Sequence, residues 1–581
     1  MTSPKGFSNP QVSQILREIA AAYEVKGDSF FESRAYEAAA DSIEHAPALA
    51  KDLWEQDILQ SLSGIGGSIA QHLDELFRTG KVSHFEKVKK GFPEGMFKFL
   101  DIPGVGPKNA YKLAKELNLK SIKDLRKACN ANLVARLEGF GEVSQKKILH
   151  GIEQMIEGGS GRLFLTEADA IAQKIANELK KLSEVRRVDT LGSLRRRVTT
   201  IGDIELAVQT DAPQKVIDVF TSLSEVKDIL NKGAIKSSIR LKDGTQIDLR
   251  VQEVKSYGAL LQYFTGSKPH NIHLRELAMQ RNLSLSEYGI REGGRDGQLT
   301  EFVTEEEFYR FLNLPWIPPE LREDTGEIEA ALANKLPNLV KLKDIKGDLH
   351  IHCDFDLEES HDAGRIPIEE LARRGIELGY KYIAVGNHSP SVSKHTQAQM
   401  RKLILKKQEA IDKVQKDYSQ IKLLNMVEVD ILANNTLALS DENLKLLDIA
   451  IGGVHSSLDM GREEMTERVL MALNNPHIHG LAHPTGRLLN EREGYELDWA
   501  KIFNVCVENK KFLEINAFYK RLDLHDILVR EAIKAGVKLA VNSDAHDLPH
   551  LDFMKYGVSV ARRGWAEKKD IVNTHPTLLL F

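Results

Sequence analysis

The sequence predicts a multidomain protein of mixed class, with a helical N-terminal part, an α+β middle and an α/β C-terminal part. Three observations predict it. Up to residue 155, short helical stretches are separated by Gly-rich turns, with no strand-like alternation of any length. Between residues 160 and 260, apolar runs such as Ile204–Val208 and Gln246–Val251 read as strands beside a helix at Glu167–Leu182. From Asp344 onward short strands alternate with helices, and polar residues stand at the C-terminal ends of those strands, where parallel-barrel enzymes place their chemistry.

The bulk properties agree with several domains. A chain of 581 residues exceeds one core, and at ~100–200 residues per domain about three to five are expected. A net charge of −5 excludes a globally basic nucleic-acid coat, so any such surface must be local. Cys129, Cys353 and Cys506 form neither a CxxC pair nor an even framework, which fits a reducing compartment. The first ten residues lack an apolar signal core, and no run of ~18 apolar residues offers a membrane span. A cytoplasmic protein is therefore expected. Of the 19 histidines, 13 follow Val340, which hints at a metal site there.

In the helical part, Leu62-Ser-Gly-Ile-Gly-Gly-Ser-Ile-Ala70 and Ile102-Pro-Gly-Val-Gly-Pro-Lys-Asn-Ala110 share one plan: an apolar residue, Gly-x-Gly, then a helix. Gly64, Gly66, Gly104 and Gly106 permit a tight turn and close approach of the backbone. The following helix start offers free N–H groups to a phosphate without reading bases. Lys108, Lys112 and Lys115 add charge, and a weaker third copy lies at Leu137–Gly141.

In the middle, Gly192-Ser-Leu-Arg-Arg-Arg197 precedes Gly202-Asp-Ile-Glu-Leu206. Asp203 and Glu205 are two apart and leave one face of a strand; Asp248 supplies a third carboxylate from another. Three carboxylates converging on one sheet call for cations, and two Mg²⁺ ions so held can activate a hydroxyl and bind a triphosphate. Ser193 and Arg196, at the preceding turn, are placed to hold that triphosphate.

The stretch Gly192–Glu205 resembles the palm signature of family X DNA polymerases, the group containing DNA polymerase beta, and Tyr263-Phe-Thr-Gly-Ser267 resembles its nucleotide-binding signature. The resemblance covers roughly residues 5–318. It implies a polymerase beta-like nucleotidyltransferase with helix-hairpin-helix domains. Its segments are an N-terminal DNA-binding domain at 1–90, fingers at 91–157, palm at 158–255, thumb at 256–318 and a linker at 319–340. It also implies that Asp203 and Glu205 bind two ions, Mg²⁺ or Mn²⁺, and that Asp248 binds one of them and accepts the primer hydroxyl proton. Ser193, Arg196, Gly202, Tyr263, Phe264, Gly266 and Asn271 then contact the incoming nucleotide, and Arg275 the template. Two departures stand out. The family usually has Asp where Glu205 stands, and a lysine that some members use for abasic-site chemistry is His72 here, with Ser68 at the turn.

In the last part His350 and His352 share a strand face, and His388, Glu428, His455, His483, Asp544 and His546 follow at successive strand ends. Mixed imidazole and carboxylate sets suit Zn²⁺, Mn²⁺ or Fe²⁺. Residues 341–581 resemble the PHP (polymerase and histidinol phosphatase) domain, which adds Leu513-Glu-Ile-Asn516 and the run Tyr556–Trp565. The resemblance implies a distorted (β/α)7 barrel, three metal ions and 3′–5′ exonuclease or 3′-phosphatase chemistry. The family's metal-binding Asp falls on Leu357. Asp362, in a longer loop, is expected to replace it, with Asp356 the alternative, and Asn387 stands where an Asp adjoins His388. Gapped or nicked DNA and dNTPs are the expected partners, and the chain is expected to be a monomer. A phosphoesterase whose polymerase part only grips DNA, and a non-catalytic DNA end-binding scaffold, stay open as alternatives.

Overall fold

The computed structural model describes residues 7, 9–27, 30–44, 50–55, 59–62, 64–102, 104–156, 162–293, 297–359 and 362–577. The chain forms two compact units, Met1–Gly161 and Arg162–Phe581. The first is helical among its described residues, from Asn9–Lys26 to Glu142–Ile156. Its helices bury two apolar clusters, one around Leu16, Ile43, Leu73 and Phe77, the other around Phe99, Leu113, Leu125 and Ile152. The amphipathic helices Gly67–Thr79 and Pro107–Glu116 each follow one of the Gly turns.

The second unit begins with a five-stranded sheet ordered Val185–Thr190, Ile204–Thr210, Gln246–Gln252, Lys236–Leu241, Val226–Lys232. Only the Ile204–Thr210 and Gln246–Gln252 pair is parallel, in a register that sets Glu205 opposite Asp248. Alternation divides the faces. Leu206, Val208, Leu249 and Val251 pack with Ile175, Ile217 and Phe220 of helices Leu165–Leu179 and Pro213–Thr221. Ala207 meets Tyr257 and Leu261 of helix Tyr257–Thr265 on the other side.

Residues 260–314, within the segment expected as the thumb, combine helices with a small sheet. Between helices Lys268–Met279 and Glu305–Phe311 lies a three-stranded antiparallel sheet of Leu283–Ser286, Gly289–Glu292 and Gln298–Thr300. Strands of three or four residues are too short to show alternation. The Pro-rich stretch after Leu314 is packed: Leu314, Ile317 and Leu321 join Phe308 and Tyr309 in one buried cluster. Within the segment expected as a linker, a short helix spans Glu327–Leu332, after Gly326 in a left-handed turn (φ 104°).

From Gly347 a seven-stranded parallel sheet runs in chain order: Gly347–Asp348, Tyr382–Val385, Lys422–Asp430, Ile449–Gly453, Gly480–Leu481, Phe512–Asn516 and Lys538–Asn542. The first strand is short. The sheet closes beyond it through a parallel pairing of Ile351 with Ala545, giving a distorted (β/α)7 barrel. The final helix, Met554–Arg563, packs between the barrel and the 310 turn Pro319–Leu321.

Candidate active sites

The palm site is built on the parallel strand pair. Glu205 and Asp248 are lateral neighbours, and Asp203 sits at the edge of the strand beginning at Ile204 rather than within it. The three carboxylates act on one another. Burial raises the Asp203 carboxyl, and Asp248 raises it further. Burial together with Asp203 and Asp248 pushes Glu205 up to about 7, against the pull of Arg250 and Lys236. Asp203 and Glu205, both raised with the Asp248 carboxylate beside them, are acids whose crowding a divalent ion would relieve, so the residues present fit metal binding. Glu205 reaches the Gly192 turn: a Cβ on Gly192 would stand 2.4 Å from its Oε2, and Gly192 has φ 55°.

That turn carries the expected triphosphate residues, and three successive arginines fasten it. Arg195 pairs with buried Glu305, which Arg322 also binds. Arg196 donates from Nε to Glu323 Oε1 (2.9 Å) and from Nη1 to the Thr265 carbonyl (2.6 Å). Arg197, at φ 59°, donates to Asp169 Oδ1 (2.7 Å). Ser193 lies inside the turn, its carbonyl accepting from Val198 N (3.1 Å). Gly202 precedes Asp203 beside Arg162, whose Nη1 would lie 3.2 Å from an added Cβ. Gly266 (φ 69°) closes on Arg196 Nη1, where an added Cβ would stand at 3.1 Å. Tyr263 and Phe264 are edge-to-face at 4.9 Å; the Arg275 guanidinium lies 5.1 Å from the Tyr263 ring and that of Arg250 3.5 Å from Phe264. Asn271 is engaged with the protein, donating to the Tyr263 carbonyl (2.7 Å) and accepting from Gln262 (2.9 Å).

In the helical unit Gly64 (φ 81°) and Gly104 (φ 82°) make the left-handed bends that the Gly-x-Gly spacing predicted. Gly66 and Gly106 are the N-caps of their helices, and no side chain caps either. Lys108 is exposed, whereas Lys112 and Lys115 bond to Glu138 O and Tyr111 Oη. His72 lies 2.8 Å from Tyr36 Oη and stacks on His84 at 4.4 Å, so no amine occupies that position.

The barrel site gathers eight of the nine expected ligands. His352, His388 and His546 form one group; His350, His352 and Asp544 a second; Glu428, His455 and His483 a third; all have ligand atoms within 4.8 Å of one another. Glu428 joins them. Its Oε1 lies 2.8 Å from His483 Nε2 and 3.0 Å from His455 Nε2, and its Oε2 3.0 Å from His388 Nδ1 and 3.2 Å from His350 Nε2. Burial raises this carboxyl, yet the surrounding histidines hold it well below the usual range. Burial takes His388 down to about 3 and His546 to about 4, leaving neutral imidazoles of the kind metals bind. His350 and His352 approach Nε2 to Nε2 at 3.1 Å, a contact that an ion between them would satisfy. His483 (φ 29°) and Asp544 (φ 51°) have left-handed backbones at their strand ends.

Two residues missed as site members also belong here. Asp430 Oδ1 lies 2.7 Å from His455 Nδ1 and joins a fourth group with His388. Glu514 Oε1 lies 2.7 Å from His350 Nδ1, the arrangement that orients a ligating histidine. Glu514 stands in the Leu513-Glu-Ile-Asn516 motif already singled out, and Asp430 lies two residues after Glu428, where the strand period of two is the signal that marks it.

Asp362 is not brought in. Its side chain is exposed and it joins none of the groups; Asp356 is also exposed, accepting from Glu358 N. Leu357 is fully buried against Met400, Val427 and Val429, which forbids a carboxylate there. The loop carboxylate that turns inward is Glu359, two residues on. Its Oε1 accepts from Asn387 Nδ2 (2.5 Å), and its Oε2 is buried with no hydrogen-bond partner among the described residues. Burial raises its carboxyl, against the opposing Asn387 hydrogen bond and the nearby His352. Asn387 therefore clasps this loop, donating also to Phe355 O (2.8 Å), rather than orienting His388.

Comparison with known proteins follows this division. The family model described as DNA polymerase beta thumb matches residues 260–323, one described as a helix-hairpin-helix domain matches 7–82, and one described as a SAM-like helix-hairpin-helix tandem matches 98–153. The DNA polymerase/3′-5′ exonuclease PolX of Bacillus subtilis is 35% identical over 566 residues, 97% of this chain and 96% of that protein. DNA polymerase lambda of Arabidopsis thaliana is 25% identical over 349 residues, 54% of this chain and 62% of its own length. A protein named "Probable phosphatase" from Acetivibrio thermocellus is 30% identical over 134 residues, 22% of this chain and 53% of its own.

Proposed function

This chain belongs to the PolX family, the bacterial family X DNA polymerases that end in a PHP domain, and from that premise we propose that it fills short gaps in DNA during repair and trims 3′ ends with its barrel. The observation that carries the polymerase reading is the convergence of Asp203, Glu205 and Asp248 beside the Arg196 turn. Asp203 and Glu205 would hold two divalent ions, Mg²⁺ or Mn²⁺, with Asp248 completing one of the two. Such ions supply charge for the triphosphate and lower the pKa of the primer hydroxyl. Asp248 accepts the primer 3′-hydroxyl proton; the oxygen attacks the α-phosphorus of a dNTP, and pyrophosphate leaves from Ser193 and Arg196. Gly202, Gly266 and Asn271 shape the nucleotide pocket, Tyr263 and Phe264 stand against the sugar, and Arg275 faces the template.

In the barrel His350, His352, His388, Glu428, His455, His483, Asp544 and His546 would hold three ions, Mn²⁺, Zn²⁺ or Fe²⁺, with Glu359 in the place expected for Asp362. Bound ions there would supply hydroxide and hold the scissile phosphodiester. Gly64, Gly66, Gly104, Gly106 and Lys108 grip the backbone of gapped or nicked DNA. No helix among the described residues is long and apolar enough to cross a membrane. The reading takes the protein as a cytoplasmic monomer.

The deciding experiment presents a one-nucleotide gapped duplex with dNTPs and Mg²⁺ or Mn²⁺. Extension by one nucleotide, and trimming when dNTPs are withheld, are expected. Trimming without extension in either metal would leave the palm as a DNA grip only.

A further inference from the structure

The geometry points to Arg563, at the end of the last barrel helix, as a positioning residue for the nucleotide site of the palm. This rests on the reading of Arg196 as a triphosphate ligand.

Arg563 is buried, its side chain 9% exposed, between two carboxylates. Its Nε and Nη2 donate to Asp526 Oδ2 (2.8 and 2.7 Å). Its Nη1 donates to Glu323 Oε1 (2.8 Å) and to the backbone carbonyl of Arg196 (2.9 Å). The same Glu323 oxygen accepts from Arg196 Nε at 2.9 Å. One barrel guanidinium thus holds both the main chain of Arg196 and the carboxylate that sets its side-chain plane. With Nε on Glu323 and Nη1 on Thr265 O, Arg196 keeps Nη2 without a hydrogen bond among the described residues, a donor at fixed orientation for an anion. The other end of the helix grips the next residue. Tyr556 Oη donates to Asp169 Oδ2 (3.1 Å), whose Oδ1 accepts from Arg197 (2.7 Å). A binding group is only as well placed as the residues that fix it, and here those residues come from the barrel.

Mere adhesion between barrel and palm predicts something different, and the helix contains its own control. Arg562 binds Glu320 Oε1 (2.8 Å) and Val340 O (3.0 Å) across the same interface without touching the turn.

The test is steady-state insertion into a one-nucleotide gapped duplex by the full-length protein. The variants are Arg563→Met, Arg562→Met, Arg196→Ala, Glu323→Gln and the double variant Arg563→Met/Arg196→Ala. Arg563→Met is expected to raise KM for the dNTP roughly tenfold, the scale of one lost charge-assisted hydrogen bond, with kcat changed far less. Arg562→Met should keep the wild-type KM, and the double variant should be no worse than Arg196→Ala alone, as for groups acting in series. Metal content and trimming by the barrel verify folding; if Arg563→Met fails that check, Glu323→Gln reads the same link from the palm side and must raise KM. A wild-type KM in the folded Arg563 variant, or equal losses in the Arg563 and Arg562 variants, with Arg196→Ala impaired, would overturn the relay. A wild-type KM in Arg196→Ala would instead remove the reading of the nucleotide site beneath it.

Discussion

Glu205 stands where the family resemblance leads one to expect Asp, and its surroundings say how the longer side chain is held. One more methylene than Asp carries the carboxylate onto the Gly192 turn, where only a residue without Cβ leaves room. Mg²⁺ tolerates displaced ligands poorly, whereas Mn²⁺ binds comparable sites somewhat more tightly. Polymerisation is expected to run faster with Mn²⁺, and Glu205→Asp to raise the Mg²⁺-dependent rate, as measured by single-turnover insertion. Equal rates in both metals for the native enzyme, with a slower Glu205→Asp, would mean the site is adapted to glutamate. Titration offers a second check. With its pKa raised to about 7, metal-free Glu205 carries a proton below that pH and must release it to bind an ion. Apparent Mg²⁺ affinity should therefore weaken as pH falls from about 8 to about 6, with more proton released per ion, measured by calorimetry in buffers of different ionisation enthalpy. In the barrel, Glu359→Gln should lower bound metal by about one ion per chain while Asp362→Ala leaves it unchanged. The reverse result in elemental analysis would restore Asp362. Eight of the residues grouped in the barrel are legible in the sequence because they recur at strand ends. The inward side chain of Glu359 and the exposed one of Asp362 are not, because neither loop length nor the inward turn of Leu357 can be read from spacing.

Helices and strands were legible in proportion to their length. The alternation of short strands and helices in the barrel is legible because buried parallel strands are continuous apolar runs, whereas the first strand, Gly347–Asp348, is only two residues long. The short sheet at 283–300 left no such trace. Among the Gly turns, the two glycines of each pair have separable duties. Gly64 holds φ 81°, and a Cβ there would meet the Ala38 backbone at 3.2 Å, so Gly64→Ala should destabilise the helical unit by about 1–3 kcal/mol in thermal melts. Gly106 has an ordinary φ and open space around it. Gly106→Val should therefore keep the melting temperature and weaken binding to gapped DNA, because it blocks approach of a phosphate to the uncapped helix start. Native affinity should fall steeply with salt and depend little on sequence. Salt-insensitive binding, or unchanged affinity in Gly106→Val, would count against the turns as the grip.

At the scale of the molecule, the two candidate sites are separate side-chain clusters within one packed unit. Asp203→Ala should abolish nucleotide addition and spare trimming; His352→Ala should do the reverse. Loss of trimming in Asp203→Ala, with DNA binding retained, would show that the two chemistries share a centre. Because residues 162–581 pack as one compact unit, their thermal stabilities are expected to be joined as well. Ions bound to the native barrel alone stabilise every residue that unfolds with it. Chelation should then lower the melting transition of palm, thumb and barrel together, leaving a separate transition of the helical unit in place. On that reading, metal supply to the barrel would set the thermal margin of the polymerase as well, with every palm residue intact.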